Sequence, residues 1–312
     1  MEVTTYSPEV WLTFVMVVGS LLVLDLGVLN RKSHVLGHRE ALGWSAGIVS
    51  VALLFGAFLW WEVGSKTALE YYTGYLVELS LSVDNLFVFL LVFQYFSVPA
   101  ALQPRVLKWG ILGAILMRGA MIGAGALLLR EFHWIVYVFG GILLLTGLRM
   151  FQDGEERVKP EKNPLVRLAR RIFPVTPAYE GPHFFVRNAS GAWLATPLLL
   201  VLLVVEWSDV VFAIDSIPAV FAVTRDPFVV YSSNLFAILG LRALFFVLAG
   251  AMDQFRFLKP GVGVILLFVG AKMVASAWFH PSTLVSLAVI VGILLLAVLL
   301  SLAFPERERP GA

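Results

Sequence analysis

A run of apolar residues long enough to cross a lipid bilayer leaves a chain few options, and this chain has about nine. Crossing the hydrocarbon core takes roughly 20 such residues in a helix. Inside lipid, only helices and closed barrels satisfy every backbone N–H and C=O. The runs fall near residues 10–29, 44–62, 70–95, 109–129, 133–151, 196–223, 228–250, 260–279 and 282–304. The predicted fold class is therefore all-α, a polytopic membrane protein. Composition agrees: 14% of residues are charged, against about 25% in an average soluble domain. Of the 23 Lys and Arg, sixteen fall in alternate connections and the C-terminal tail, on one side. Only Lys66, Arg130 and Arg225 fall on the other. Basic loops stay inside, so the N-terminus is expected outside and the C-terminus in the cytoplasm. The N-terminus lacks the basic region of a secretory signal. The absence of cysteine excludes disulfides, thiolate metal sites and iron–sulfur clusters.

Within these runs lie charges that lipid disfavours. The third holds Glu78-Leu-Ser-Leu-Ser-Val-Asp84-Asn85, and the sixth holds Asp209-Val-Val-Phe-Ala-Ile-Asp215-Ser216, with Glu206 one turn earlier. Each pair is six residues apart and is followed at once by a small polar residue. A charge at bilayer depth costs several kcal/mol unless it faces a partner, an ion or water, so matched pairs read as a site. The basic residues repeat too. Arg118 and Arg149 stand in helices 4 and 5, Arg242 and Lys272 in helices 7 and 8, and the last of each pair follows Gly-x (Gly147-Leu-Arg149-Met150 and Gly270-Ala-Lys272-Met273). Helices 3–5 and 6–8 thus share an order of charges. An offset of three spans inverts the second copy, so inverted three-helix repeats are expected, a common plan of secondary transporters. The predicted organisation is two helices over 1–69, repeat A over 70–151, a cytoplasmic loop over 152–195, repeat B over 196–279, and a final helix with tail over 280–312.

On an unbroken helix, residues six apart point about 120° apart and lie about 9 Å apart along the axis. Neither pair can grip one small ion that way. A kink is expected where Pro218 cannot bond the carbonyl of Ile214, and unwinding is expected near Ser80 to Ser82. No histidine lies mid-span (His34, His38, His133, His183, His280). Oxygen donors alone favour Mg²⁺, Ca²⁺ or Mn²⁺ over Zn²⁺ or Cu²⁺, and surplus negative charge lets protons share the site. Glu78, Asp84, Asp209 and Asp215 are the candidate metal ligands. Asn85, Glu206, Ser216, Asn234, Arg118, Arg242 and Lys272 are candidates for the surrounding shell or path. Asn234, near the outer start of helix 7, is read first as a helix cap. Asp25 is read as a solvated end residue. The competing reading has Arg118, Arg242 and Lys272 pairing with the acids only to hold the bundle together, but buried ion pairs are poor stabilisers. Segment 152–195 carries Pro160, Pro164, Pro174, Pro177 and Pro182 and a hairpin pattern around Asn188 to Gly191. Arg167-Leu-Ala-Arg-Arg171 suits an acidic inner leaflet. With no G-x-x-x-x-G-K-[ST] loop, this segment is no ATPase domain.

The stretches 78–85, Val205-Glu-Trp-Ser-Asp209-Val-Val-Phe-Ala-Ile-Asp215-Ser-Ile-Pro-Ala219, Thr224-Arg-Asp-Pro-Phe228 and Ser233-Asn-Leu-Phe-Ala-Ile-Leu-Gly-Leu-Arg242 resemble those of the TerC family of bacterial membrane proteins. Leu24-Asp-Leu-Gly-Val28 before a basic loop also fits. The resemblance implies a manganese exporter of the inner membrane, not an enzyme, with the family's acidic residues at Glu78, Asp84, Asp209 and Asp215. Mn²⁺ would be cargo, and no resident cofactor is expected. The clustered carboxylates themselves favour a proton as the coupling ion, with Na⁺ the runner-up. Choosing Mn²⁺ over Ca²⁺ rests on the resemblance. The rival reading is a non-transporting scaffold that recruits metal-handling or translocation partners through 152–195. Membrane lipid and a divalent ion are the expected partners, with no nucleic acid. A homo-oligomer and exported-enzyme partners stay open.

Overall fold

The structure, a computed structural model, describes residues 6–24, 38–132, 134–152, 168, 171–188, 191–248, 257–275, 278 and 283–304. Asp25 and the side chains of Asp84, Arg149, Asp215 and Arg242 lie outside that set. Among the described residues are nine helices: α1 Pro8–Val23, α2 His38–Glu62, α3 Ser65–Tyr95, α4 Gln103–Glu131, α5 Ile135–Gln152, α6 Pro197–Phe221, α7 Pro227–Leu248, α8 Leu258–Val274 and α9 Thr283–Ala303. They coincide with the nine apolar runs. Four have proline at the first or second position (Pro8, Pro104, Pro197, Pro227), where its fixed φ suits a helix and its missing N–H costs nothing. The stretches Arg39–Glu62, Gln103–Leu129, Pro197–Phe221 and Val285–Ala303 are long and apolar enough to cross a membrane alone. Shorter apolar stretches lie in α1, α5, α7 and α8. At 31 residues, α3 extends about 46 Å. The chain is a polytopic helical membrane protein.

One expectation about a backbone break is corrected. Helix α3 runs without interruption through Ser80 to Ser82. Ser80 Oγ donates to the Val77 carbonyl (2.7 Å), so its hydroxyl is satisfied on the helix itself, without unwinding. Helix α6 carries Pro218 inside its last turn and stays helical to Phe221, which leaves room for a kink there. A second correction concerns Asn234. Helix α7 starts at Pro227, and Asp226 Oδ1 accepts the N–H groups of Phe228 (2.9 Å) and Val229 (3.5 Å). Asp226 is the cap, and Asn234 lies two turns inside the helix.

The helices meet around three apolar cores. One joins the second half of α3 to the starts of α4 and α6 and the end of α7. A second joins α5, α8 and α9 to the far halves of α4 and α6. The third gathers α1, α2 and the first halves of α3 and α7, with Phe14, Phe55, Tyr71, Phe228 and Phe236 at its centre. Helix α5 packs along α8 at backbone contact. A Cβ on Gly270 would lie 2.9 Å from the Gly140 carbonyl oxygen, and one on Gly147 would lie 2.9 Å from that of Gly263. Going from Gly140 to Gly147 on α5 means going back from Gly270 to Gly263 on α8, so the pair is antiparallel. Small residues allow this approach, which in lipid must be stabilised by packing rather than by hydrophobicity.

Strands β1 Phe185–Arg187 and β2 Trp193–Ala195 form the antiparallel hairpin read from the sequence, with Arg187 opposite Trp193. Gly191 takes φ +81° in its turn. The hairpin segment packs on the turn between α3 and α4: Tyr179 donates its hydroxyl to the Phe96 carbonyl (2.8 Å), and the Arg105 guanidinium lies over the Phe184 ring.

Candidate functional site

On both α4 and α6 one apolar core gives way to another half-way along, and a charged residue marks the change. On α4 the first core ends at Ala114 and the second begins at Ile122, with Arg118 between them. On α6 they end and begin at Val205 and Ala213, with Asp209 between. Arg118 is the sixteenth of 29 residues in α4, Asp209 the thirteenth of 25 in α6 and Glu78 the fourteenth of 31 in α3. All three sit at mid-helix, and all are buried: 1% exposed for Arg118, 2% for Asp209 and 0% for Glu78.

Arg118 is the hub. Its Nη2 and Nε donate to Asp209 Oδ1 (2.9 Å) and Oδ2 (3.1 Å), a two-pronged grip. Its Nη1 donates to Glu78 Oε1 and reaches Ser216 Oγ at 3.4 Å. Asn85, with its carboxamide turned to satisfy both ends, accepts from Arg118 Nη2 and donates to the Leu81 carbonyl, each at 3.2 Å. One guanidinium therefore faces two carboxylates from two helices. Glu78 Oε2 is buried with no hydrogen-bond partner among the described residues. Among the described residues the cluster has acceptor capacity and formal negative charge left over, in a place where leaving either unmatched costs several kcal/mol.

The pairing of α3 with α6 fixes the level of the other two acids. A Cβ on Gly74 would lie 3.2 Å from Val220 Cγ1. Four residues further along α3 and four back along α6, Glu78 and Ser216 both meet Arg118 Nη1. The helices are antiparallel in that register. Six more residues bring helical position 84 level with Asp209, and position 215 level with Glu78, each within one residue. Among the described residues no group of three His, Cys, Asp or Glu side chains forms a metal cluster.

The remaining candidates with described side chains are Glu206, Asn234 and Lys272. Glu206, one turn before Asp209, fills the space that a side chain at Gly113 of α4 would occupy, and its Oε2 has no partner among the described residues. Asn234 is 1% exposed, and its Nδ2 likewise has no partner there. Lys272 does not reach the hub. Its ammonium donates to Ser286 Oγ on α9 (3.0 Å).

Sequence reasoning missed a polar cluster at one end of the bundle. Thr224 Oγ1 donates to Glu70 Oε2 (2.6 Å), and Tyr6 donates its hydroxyl to Asp226 Oδ2 (2.5 Å). Burial, followed by that bond to Asp226, pushes the Tyr6 phenol above its ordinary range. The readable signal was Asp226-Pro227, an acid at N-cap before a proline at N1.

Residues 63–309 match the Integral membrane protein TerC family. The chain belongs to the TerC family. Two relatives cover nearly its whole length. One is "Uncharacterized membrane protein STKORF319" of Myxococcus xanthus, 52% identical over 304 residues, 97% of this chain and 95% of the relative. The other is "Putative membrane-bound redox modulator Alx" of Escherichia coli (strain K12), 47% identical over 307 residues, 96% of this chain and 95% of the relative. No solved structure matches. For this TerC family member the matched region takes in every helix from α3 to α9, including Glu78, Arg118 and Asp209.

Proposed function

We propose that the protein is a secondary transporter exporting a divalent metal, Mn²⁺, from the cytoplasm across the bacterial inner membrane in exchange for protons. One observation carries this reading. Two carboxylates from antiparallel helices, Glu78 and Asp209, meet at mid-helix around Arg118, with one buried carboxylate oxygen that has no partner among the described residues. A cluster built only for stability would match its charges. One built to exchange cations keeps oxygen donors and negative charge in reserve. Asp84 and Asp215, level with Asp209 and Glu78, complete the proposed ligand set, and Asn85 and Ser216 line it. All are hard oxygen donors, suited to Mn²⁺, Ca²⁺ or Mg²⁺.

The antiparallel α5–α8 crossing supports the inverted-repeat reading. Gly140 meets Gly270 just as Gly263 meets Gly147, and Gly147 and Gly270 are the residues that matched in the two Gly-x-Arg/Lys-Met stretches. The axis relating α3–α5 to α6–α8 would pass through that crossing. The N-terminus would then face outward and the C-terminus the cytoplasm.

Export of two positive charges against a negative-inside potential costs about 4.6 kcal/mol per 100 mV. Clustered carboxylates can carry protons in one direction and a divalent metal in the other, so two or more protons entering per metal supply the energy. With no cysteine in the chain, a redox effect of the kind named for the Escherichia coli relative would arise through metal supply rather than thiol exchange. The test is metal flux in vesicles containing the purified protein, comparing Mn²⁺ with Ca²⁺, Mg²⁺ and Zn²⁺ beside a pH-sensitive dye. Mn²⁺ movement with opposite proton movement is expected. Metal movement indifferent to a pH gradient would remove the proton exchange, and no movement of any metal would remove the transporter.

A further inference from the structure

We propose that Arg118 is a tethered competitor of the transported cation: it occupies Glu78 and Asp209 until the divalent ion binds, then steps one turn along α6 to Glu206. The inference rests on the proposed transport site and adds the residue that empties and refills it. In its observed place the guanidinium engages both oxygens of Asp209 and one oxygen of Glu78. A divalent ion needs those same lone pairs at close range, so ion and guanidinium cannot hold the two acids together. The displaced guanidinium stays buried and must find another anion, because an unpaired charge there is prohibitive.

Glu206 meets that need. It lies three residues before Asp209, about 4.5 Å back along the same helix and about 60° around it. Its Oε2 is buried and has no partner among the described residues. Its carboxylate rests on Gly113, on the same helix as Arg118 and five residues before it, so no side chain at that position stands between them. Gly113 keeps open the space in which Glu206 waits. The guanidinium returning from Glu206 to Asp209 would expel the ion, and Arg118 would hold the acids paired while the empty carrier resets. Without it, the carrier would bind cargo and swap it but not reset empty.

The test uses the full-length protein and MnCl₂ as the probe. Mn²⁺ binding is read from loss of the free-ion electron paramagnetic resonance signal, and vesicles report net proton-driven Mn²⁺ flux separately from isotope-for-isotope Mn²⁺ exchange. Arg118→Gln is expected to bind Mn²⁺ at least tenfold more tightly, to keep exchange and to lose net flux at least tenfold. Removing a nearby positive charge would tighten binding in any model, so Glu206 decides. Glu206→Gln in the wild-type background is expected to weaken Mn²⁺ binding severalfold, because the displaced guanidinium loses its acceptor. In the Arg118→Gln background the same change should have no effect. If Glu206→Gln weakens binding equally in both backgrounds, Glu206 acts by simple attraction and the proposal is overturned. Should Arg118→Gln fail to fold, Arg118→Lys replaces it; the shorter single-pronged grip should tighten binding and blunt the effect of Glu206→Gln, and an unchanged effect overturns the proposal. A wild-type protein that neither binds nor moves Mn²⁺ would instead refute the transport reading itself.

Discussion

Adjacent glycines on α5 offer a controlled test of the packing that frames the site. A Cβ at Gly140 would lie 2.8 Å from Val274 Cγ2 and 3.0 Å from both the Gly270 carbonyl oxygen and Met273 Cβ. A Cβ at Gly141 would meet nothing within 4 Å. Replacing either glycine by alanine brings the same gain in helix propensity, about 1 kcal/mol. Only Gly140→Ala adds overpacking, which costs about 1–3 kcal/mol in tight cores. One of the clashing atoms belongs to the backbone of α8 and cannot rotate away, so the upper part of that range applies. Gly141→Ala should be neutral to slightly stabilised. Gly140→Ala should fall below it by about 2–3 kcal/mol, roughly a 30- to 150-fold change in the folded-to-unfolded ratio. Unfolding by SDS from mixed micelles, followed by far-ultraviolet circular dichroism, measures the difference. Equal SDS midpoints for the two variants would refute a backbone crossing of α5 and α8 at Gly140 and Gly270.

Tyr179 anchors the hairpin segment to the turn after α3, and burial pushes its phenol up to about 12. A folded value above the ordinary 10.0 means that the contribution of the neutral phenol is complete below pH 10 and is lost between about pH 10 and 12. Tyr179→Phe should therefore be less stable at neutral pH and show a shallower alkaline loss than wild type; parallel slopes in pH-dependent thermal unfolding would contradict this. Asp226 caps α7 and accepts the Tyr6 hydroxyl, so Asp226→Ala should destabilise by about 1–2 kcal/mol. Asp226→Asn, whose one carboxamide oxygen can keep the cap but not also the Tyr6 bond made to the second oxygen, should recover part of that, as read by the same SDS titration. The hydroxyl of Ser216 sits at 3.4 Å from Arg118, too long for a strong bond. Ser216→Ala should cost under about 0.5 kcal/mol, and a larger loss would show that Ser216 has a further partner.

The helices were legible because lipid imposes one rule on every residue of a span, and the mid-span acids were legible because they break it. Arg118 was also read as an inward-facing partner of acids, and it contacts Glu78 and Asp209. Its central place was less visible, since no sequence spacing says that three helices converge on one guanidinium. The supposed break at Ser80 to Ser82 came from asking one helix to bring Glu78 and Asp84 to a single ion; α3 stays continuous there, with Ser80 bonded back to Val77. Asn234 was read as a cap although the apolar run begins near 228, six residues earlier; Asp226-Pro227 is the capping pair and Asn234 lies two turns inside. Glu70 and Thr224 come from segments more than 150 residues apart and became a pair only through packing. The hairpin was readable from Asn188 to Gly191, since a turn with positive φ needs glycine at its end.

The most direct measurement of the central claim is proton-driven release of Mn²⁺ from loaded right-side-out vesicles, acid outside, for wild type beside Glu78→Gln. This substitution removes one carboxylate but leaves Arg118 its two-pronged bond to Asp209, so the bundle should keep its SDS midpoint within about 1–2 kcal/mol. The account predicts rapid Mn²⁺ release with inward proton movement for wild type, and release no faster than from protein-free vesicles for Glu78→Gln. A folded Glu78→Gln protein that releases Mn²⁺ as fast as wild type would contradict a metal path through the mid-helix carboxylates.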